Sequence, residues 1–194
     1  AFTHHKIQEV VYAGMPRRRR QYIHGQIGAA METLYGPQIE EVTGELAFHF
    51  QQAQQLDKTL TEKTIHYLHQ AGDQATRLAA NQEASAHFAR GLELLETLPD
   101  TPERVEQELA LQLALGASQM ATKGYGAPEV ARAYHRAREL CQQIGETPQL
   151  FWTLQSLGAF YGVRAELQTA IEVMEQSLRI AERTQDPVKT MFAH

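Results

Sequence analysis

Apolar residues recur every three or four positions over most of the chain. Four stripes are clear, and each has the period of a helix that buries one face. The stripes are Ala84, Phe88, Leu92, Leu95 and Leu98; Val130, Tyr134, Ala137, Cys141 and Ile144; Leu150, Leu154, Leu157 and Tyr161; and Ala170, Met174, Leu178 and Ala181. No clean alternation of apolar and polar residues adjoins an Asn-Gly or Asp-Gly turn, which would indicate β-hairpins. The pattern predicts an all-α fold.

Start and stop signals arrange these helices in pairs. Thr101-Pro102, Thr147-Pro148 and Asp186-Pro187 each place a capping side chain before a proline, which is favoured at the first helical position. Gly145 stands just before the second signal, where a helix C-cap favours left-handed backbone. Two amphipathic stretches separated by a glycine-containing break lie between successive prolines. The sequence therefore predicts a helix hairpin that repeats about every 40 residues, as in a solenoid.

About ten helices follow from these signals. The predicted ranges are 4–13, 17–35, 39–54, 60–80, 82–98, 102–121, 128–144, 148–163, 167–183 and 187 onward. We expect neighbouring helices to be antiparallel, because the breaks between them are short.

One stretch resembles the tetratricopeptide repeat. It reads Leu154-x2-Leu157-Gly158-x2-Tyr161-x8-Ala170-x3-Met174, with small and bulky residues at the usual offsets of that repeat. We expect Gly158 and Ala170 to face each other where the two helices are closest, with Tyr161 and Met174 filling the space on either side. The resemblance implies a right-handed superhelix of antiparallel helix pairs.

Two further stretches resemble weaker copies of the same repeat. One contains Gly72, Ala75, Ala84, Phe88 and Gly91 and closes at Pro99. The other runs from Leu115-Gly116 to Tyr134 and Ala137, with about two extra residues in its loop. Residues 58–194 are thus predicted to be tetratricopeptide-like repeats, with the last one truncated.

A second resemblance covers nearly the whole chain. The opening from Phe2 to Tyr12, the following Arg17-Arg18-Arg19-Arg20-Gln21-Tyr22-Ile23-His24, and the stretches Gly91–Pro99 and Met120–Tyr125 carry it. They resemble large bacterial signalling ATPases that have an adenylate/guanylate cyclase domain at the N-terminus and tetratricopeptide repeats at the C-terminus. The resemblance implies that residues 1–57 are a helical segment after an ATPase module and that the chain is part of a longer protein.

Composition narrows the class of protein further. The chain has 194 residues, a formal net charge of -5 and one cysteine, Cys141. A single cysteine excludes an intramolecular disulfide and a four-cysteine zinc site, and it fits a reducing compartment. No apolar run approaches the ~18 residues of a membrane span. We therefore expect a cytoplasmic protein without a membrane partner, and the mild acidity argues against nucleic acid as a partner.

The sequence lacks the phosphate-binding and nucleophile motifs that would indicate an enzyme. No G-x-x-x-x-G-K-[ST] phosphate loop and no G-x-S-x-G elbow occurs, so we expect no catalytic residue and no cofactor in this chain. His66 and His69 lie three apart on one helical face with Asp73 one turn further, but a closed zinc site needs four ligands. We interpret them as groove-lining residues, with no metal. Cys141 lies on an apolar stripe and is predicted to be a buried small hydrophobe.

The leading hypothesis is a protein–protein interaction module whose inner wall comes from the first helix of each pair. The repeat register places eight candidate groove residues on that wall, namely His66, His69, Asp73, Arg77, Leu113, Met120, Trp152 and Gln155. Trp152 has two readings of equal weight, since tryptophan is common both at binding hot spots and in packed cores.

The only basic run is Arg17, Arg18, Arg19 and Arg20. We interpret it as a solvated or interdomain cluster rather than a nucleic-acid contact, which would need a wider basic face. The expected partners are peptides or sister domains of the same parent chain, and uncapped solenoid ends also allow a homo-oligomer. Two alternatives stay open: an effector-binding superhelix of an ATPase-linked transcriptional regulator, and an accessory part of an adenylate cyclase assembly.

Overall fold

The computed structural model describes residues 9–145 and 148–193, which are helical throughout apart from turns and short connections. The all-α prediction is confirmed, and these residues contain no strand. Nine α-helices have both ends in the described residues, rather than the ten expected. They are α1 (Arg17–Tyr35), α2 (Thr43–Ala53), α3 (Thr61–Arg77), α4 (Asn81–Leu95), α5 (Pro102–Lys123), α6 (Pro128–Ile144), α7 (Pro148–Val163), α8 (Leu167–Thr184) and α9 (Pro187–Ala193).

Three helices are shorter than the sequence predicts, and one of them, predicted over 82–98, already ends at Leu95. The range 39–54 becomes α2 only from Thr43, because Gly36–Val42 forms a 3-10 segment in which Gln38 leaves the helical region at φ -96° and ψ 17°. The range 60–80 ends as an α-helix at Arg77, because Ala79 adopts left-handed backbone at φ 58°. None of the predicted capping signals lies at the start of α2 or at the end of α3.

The predicted capping signals hold wherever they are described. The Thr101 hydroxyl accepts a hydrogen bond from the backbone N–H of Arg104 at 3.3 Å. The Asp186 carboxylate accepts one from the backbone N–H of Val188 at 2.9 Å. Gly145 ends α6 with a positive φ of 106°. Thr147, the third predicted cap, lies outside the described residues.

The chain divides into two compact units, residues 1–71 and 72–194. In the first unit α1 packs on α2, and the buried side of α2 is built around the fully buried Phe50. The Phe50 ring stacks on Tyr67 with centroids 5.4 Å apart. The Tyr67 hydroxyl donates a hydrogen bond to Glu32 at 2.7 Å. Burial, and then this carboxylate, raise the pKa of Tyr67, so the phenol stays neutral and keeps α1 and the start of α3 together.

The second unit is built from helices that pack on their neighbours in the chain. Contacts link α4 with α5, α5 with α6, α6 with α7, α7 with α8 and α8 with α9. One apolar cluster joins α6, α7 and α8 through Val130, Tyr134, Leu154, Leu157 and Val173. A second joins α5 and α6 through Leu109, Ala137, Leu140 and Cys141. Cys141 is fully buried, as predicted. Each helix thus contributes to the core through its sequence neighbours.

A glycine-to-bulky contact recurs in the second unit. A Cβ on Gly72 would overlap the Phe88 ring, one on Gly116 would lie 2.9 Å from the Tyr134 ring, and one on Gly158 would overlap the Met174 side chain. Each glycine removes the Cβ that would push its helix away from the next one. The three atoms nearest to a Cβ on Gly158 all belong to Met174, and the expectation that Gly158 also faces Ala170 stays a prediction.

The spacing of these pairs is regular. The three glycines are 44 and 42 residues apart, and their partners follow 16, 18 and 16 residues later. The value of 18 contains the two extra loop residues predicted from the sequence. In the first unit a Cβ on Gly28 would lie 2.9 Å from Phe50, and Gly28 precedes Gly72 by another 44 residues. The segment 1–57 thus contains a contact of the same kind, which the sequence pattern did not predict.

Two helices also end in the same turn. After α3, the N–H of Ala80 donates to the carbonyl of Ala75 at 2.8 Å and that of Ala79 to Thr76 at 3.0 Å. After α7, the same two bonds run from Glu166 to Tyr161 and from Ala165 to Gly162. This is the Schellman pattern, with alanine at the left-handed position that usually takes glycine. Each turn comes seven residues after Gly72 or Gly158, in phase with the glycine contacts.

Candidate functional site

Four of the predicted groove residues lie on α3. His66, Asp73 and Arg77 are exposed, and His69 is half-buried. His66 and His69 belong to the first unit, whereas Asp73 and Arg77 belong to the second. The exposed side chains are accessible to a partner, and their role in a groove stays a prediction.

Three other groove residues are engaged within their own unit. Leu113 and Met120 of α5 are half-buried and pack against the cluster around Tyr134. The Gln155 amide of α7 donates a hydrogen bond to the Ser177 hydroxyl of α8 at 3.1 Å. These side chains close the core between neighbouring helices, so they offer less free surface than the sequence pattern suggested.

Trp152 differs from them because it is anchored and exposed at once. Its ring lies edge-on to Phe151, with centroids 5.0 Å apart, and edge-on to Phe192 of α9 at 5.3 Å. Even so, 44% of Trp152 and 52% of Phe192 remain accessible. Both readings of Trp152 therefore have a physical basis, since it packs on a following helix and still presents a large apolar surface.

Phe192 was not among the predicted site residues. Its sequence signal is modest: Val188, Met191 and Phe192 are spaced as one face of the short helix that begins at Pro187. All three side chains are at least half exposed.

The basic run at the start of α1 is partly engaged in its own unit. Arg17 donates a hydrogen bond to the Gln55 side chain at 2.7 Å. The Arg20 guanidinium lies over the Tyr12 ring, 5.1 Å from its centroid, a cation–π contact. Arg17, Arg18 and Arg19 are exposed. The interdomain role of the run remains a prediction.

The sequence did not predict a chain of hydrogen bonds in the first unit. The Tyr12 hydroxyl lies 2.8 Å from Nε2 of His24, and Nδ1 of His24 lies 2.8 Å from Nδ1 of His49. His24 is 5% exposed. Because one of the two facing nitrogens must accept, the two imidazoles share a single proton between them. Burial, and then the charges of His49 and Arg20, lower the pKa of His24, and burial lowers the pKa of His49.

We expect this histidine pair to make the stability of the fold depend on pH. Below the ordinary histidine pKa of 6.5, the unfolded chain takes up protons that the folded pair resists, so stability falls as the pH drops from about 7 to about 5. His49→Asn keeps a group that can bond His24 but does not titrate, and it is expected to show a shallower fall in the urea midpoint over this range. Equal pH slopes for the variant and the wild type would contradict this account.

Acidic, histidine and cysteine side chains were the candidates for a metal site. Across residues 9–145 and 148–193, no three His, Cys, Asp or Glu side chains come together as a group that could hold a metal ion. Glu108 instead accepts two hydrogen bonds from Arg136, at 2.6 and 3.1 Å, and this bidentate pair ties α5 to α6. None of the described helices combines the length and apolarity needed to cross a bilayer.

A comparison with known proteins finds similarity to part of a much longer protein. No protein-family profile matches the sequence. It is similar to "Uncharacterized protein R02095" of Rhizobium meliloti (strain 1021), with 26% identity over 151 residues. The match covers 78% of this chain and 14% of that protein. The chain thus spans about a seventh of the relative's length.

Proposed function

We propose that this chain is a non-catalytic protein–protein interaction module of the tetratricopeptide type, within a larger bacterial signalling protein of the cytoplasm. The sequence resemblance to cyclase- and ATPase-linked signalling proteins supports the class of the parent. The match to a small part of a long relative agrees with a module that belongs to a longer chain.

The packing supports a repeat architecture for the second unit. Its helices contact their chain neighbours, and the glycine-to-bulky contact returns at nearly constant spacing. In a solenoid each helix hairpin covers the apolar face of the next, and the exposed side of the first helices forms an extended binding surface. We therefore propose that the second unit is a stack of antiparallel helix hairpins.

The exposed Trp152 is the observation that carries the proposal. Phe151 and Phe192 hold its ring edge-on, while nearly half of its surface stays accessible. A pre-oriented aromatic side chain loses little conformational freedom when a partner covers it. Tryptophan is also enriched among the residues that dominate binding energy. Arg77 adds an exposed cation that suits a carboxylate of the partner.

Binding to sister domains provides the test. The segments that flank this chain in its parent gene are expressed separately and titrated against it. We expect Trp152→Ala and Arg77→Ala each to weaken binding by about 30-fold, which corresponds to ~2 kcal/mol. The matched control is Tyr125→Ala, which removes another exposed aromatic side chain (51% accessible) from a connecting loop and is expected to leave the affinity unchanged.

Circular dichroism and melting curves keep the result interpretable. Trp152→Phe retains an aromatic ring against Phe151 and Phe192, so it is expected to fold normally and to bind with an intermediate affinity. If folded Trp152→Ala and Arg77→Ala both bind like the wild type, the proposed binding surface is wrong.

A further inference from the structure

A cavity of about 260 Å³ lies in the first unit, between α1, the end of α2 and the 3-10 turn Lys58–Leu60 that leads into α3. Small side chains on the two helices make room for it, because Gly25, Ala29 and Ala53 all belong to its lining. Phe50, which is 1% exposed, also lines the cavity and therefore lies at its inner end. A Cβ on Gly25 would be 3.4 Å from the Cβ of Ala53, so this recess opens beside closely packed helices.

Larger apolar side chains lie at the solvent side of the cavity. Tyr22 of α1 is 60% exposed and Leu56, just after α2, is 37% exposed. Both line the cavity together with the half-buried Leu60. A ligand that covers these side chains removes apolar surface from water, which is favourable. Tyr22 and Phe50 also offer aromatic rings, which an aromatic ligand meets in stacked or edge-on geometry.

The charged residues described in the lining, Asp57 and Lys63, have opposite signs and local partners. The Oδ1 atom of Asp57 accepts hydrogen bonds from the Thr59 hydroxyl at 2.6 Å and from the Thr59 backbone N–H at 3.0 Å. These two bonds, the hydroxyl bond first, lower the pKa of Asp57. The Nζ atom of Lys63 lies 3.0 Å from the Glu32 carboxylate. The lining therefore gives neither a cationic nor an anionic ligand a clear advantage.

Two glutamines add uncharged hydrogen-bonding groups to the lining. Gln21 is 7% exposed, and its amide nitrogen donates to the side chain of Gln55 at 3.1 Å. Gln26 is exposed. An amide oxygen accepts up to two hydrogen bonds, so either glutamine suits an N–H or O–H donor of a ligand. These groups favour a ligand with one polar atom over a pure hydrocarbon.

We propose that this cavity binds a small neutral aromatic molecule that carries one hydrogen-bond donor and has the size of indole. Its volume of about 260 Å³ is below the range of about 300–1,000 Å³ that is usual for drug-sized ligands, which fits a molecule of one or two rings. The apolar lining supplies the affinity, and an amide oxygen fixes the orientation. The site shares no residue with the binding surface around Trp152 and Arg77, so it does not depend on the proposed protein interaction.

Indole is the probe, titrated into the whole chain and followed by two-dimensional NMR of the backbone amides. We expect saturable binding with a Kd below about 1 mM, with the largest shifts at residues that line the cavity. 1-Methylindole, which lacks the N–H donor, is expected to bind about threefold more weakly. Tighter binding of tryptamine or of indole-3-acetate than of indole would contradict a neutral ligand.

Variants of α1 separate this cavity from general hydrophobic binding. Ala29→Leu places a larger side chain in the lining, and it is expected to fold normally and to weaken indole binding at least about tenfold. Ala30→Leu, the matched control, adds the same group at the next exposed position, outside the lining, and is expected to leave binding unchanged. Tyr22→Ala is expected to weaken binding about fivefold. No saturation up to about 10 mM, shifts confined to other residues, or equal losses in Ala29→Leu and Ala30→Leu would overturn the proposal.

Discussion

Gly72→Ala is expected to destabilise the chain by ~2 kcal/mol, because its methyl group would overlap the Phe88 ring. Phe88 is 1% exposed, so its ring cannot turn away into solvent without disturbing the core around it. Alanine is a better helix former than glycine by ~1 kcal/mol, which acts in the opposite direction. A net loss in the urea midpoint therefore reports the close helix approach directly.

Gly162 and Gly158, both in α7, serve as controls with smaller expected effects on stability. Gly162 has no atom within 4 Å of an added Cβ, so Gly162→Ala is expected to raise stability slightly. Gly158→Ala is expected to cost less than Gly72→Ala, because the overlapping atoms belong to the flexible end of Met174. Phe88→Leu introduced with Gly72→Ala is expected to restore part of the loss. If Gly72→Ala is as stable as Gly162→Ala, the packing described for this pair is wrong.

Phe151→Ala is expected to cost ~3–5 kcal/mol, because Phe151 is fully buried and its removal leaves a cavity. Trp152, the next residue, is 44% exposed, and Trp152→Ala is expected to cost only ~1–2 kcal/mol of unfolding free energy. Urea denaturation of both variants measures the difference.

This comparison separates the two readings of Trp152. A loss for Trp152→Ala equal to that for Phe151→Ala would identify Trp152 as a core residue, and its proposed role as a binding anchor would fail. A small loss leaves its exposed surface available to a partner.

The sequence predicted the elements that depend on local signals. Helices begin at Pro102, Pro128, Pro148 and Pro187 because capping and fixed φ act within a few residues. Helix ends were harder to predict. Ala79 and Ala165 adopt left-handed backbone, and an alanine at such a position carries no recognisable stop signal.

Contacts between residues that are far apart in the sequence could not be predicted from local patterns. Tyr12, His24 and His49 are far apart in sequence and meet only through the packing of the first unit. Gly28 and Phe50 escaped detection because they are 22 residues apart, outside the spacing of the other pairs.

The sequence predicted the helices on which the candidate groove residues lie, but it did not predict how deeply these side chains are buried. Leu113, Met120 and Gln155 contact neighbouring helices, whereas Trp152 and Arg77 remain accessible. Burial depends on which side chains of neighbouring helices cover a position, and these lie far away in the sequence.

Hydrogen–deuterium exchange of this chain, with and without the flanking segments of its parent protein, tests the interaction module most directly. The account predicts slower exchange in the first turns of α7 around Trp152 and at the end of α3 around Arg77, with no change near Tyr125. Protection confined to the Arg17–Arg20 region, or binding without protection around Trp152, would contradict it.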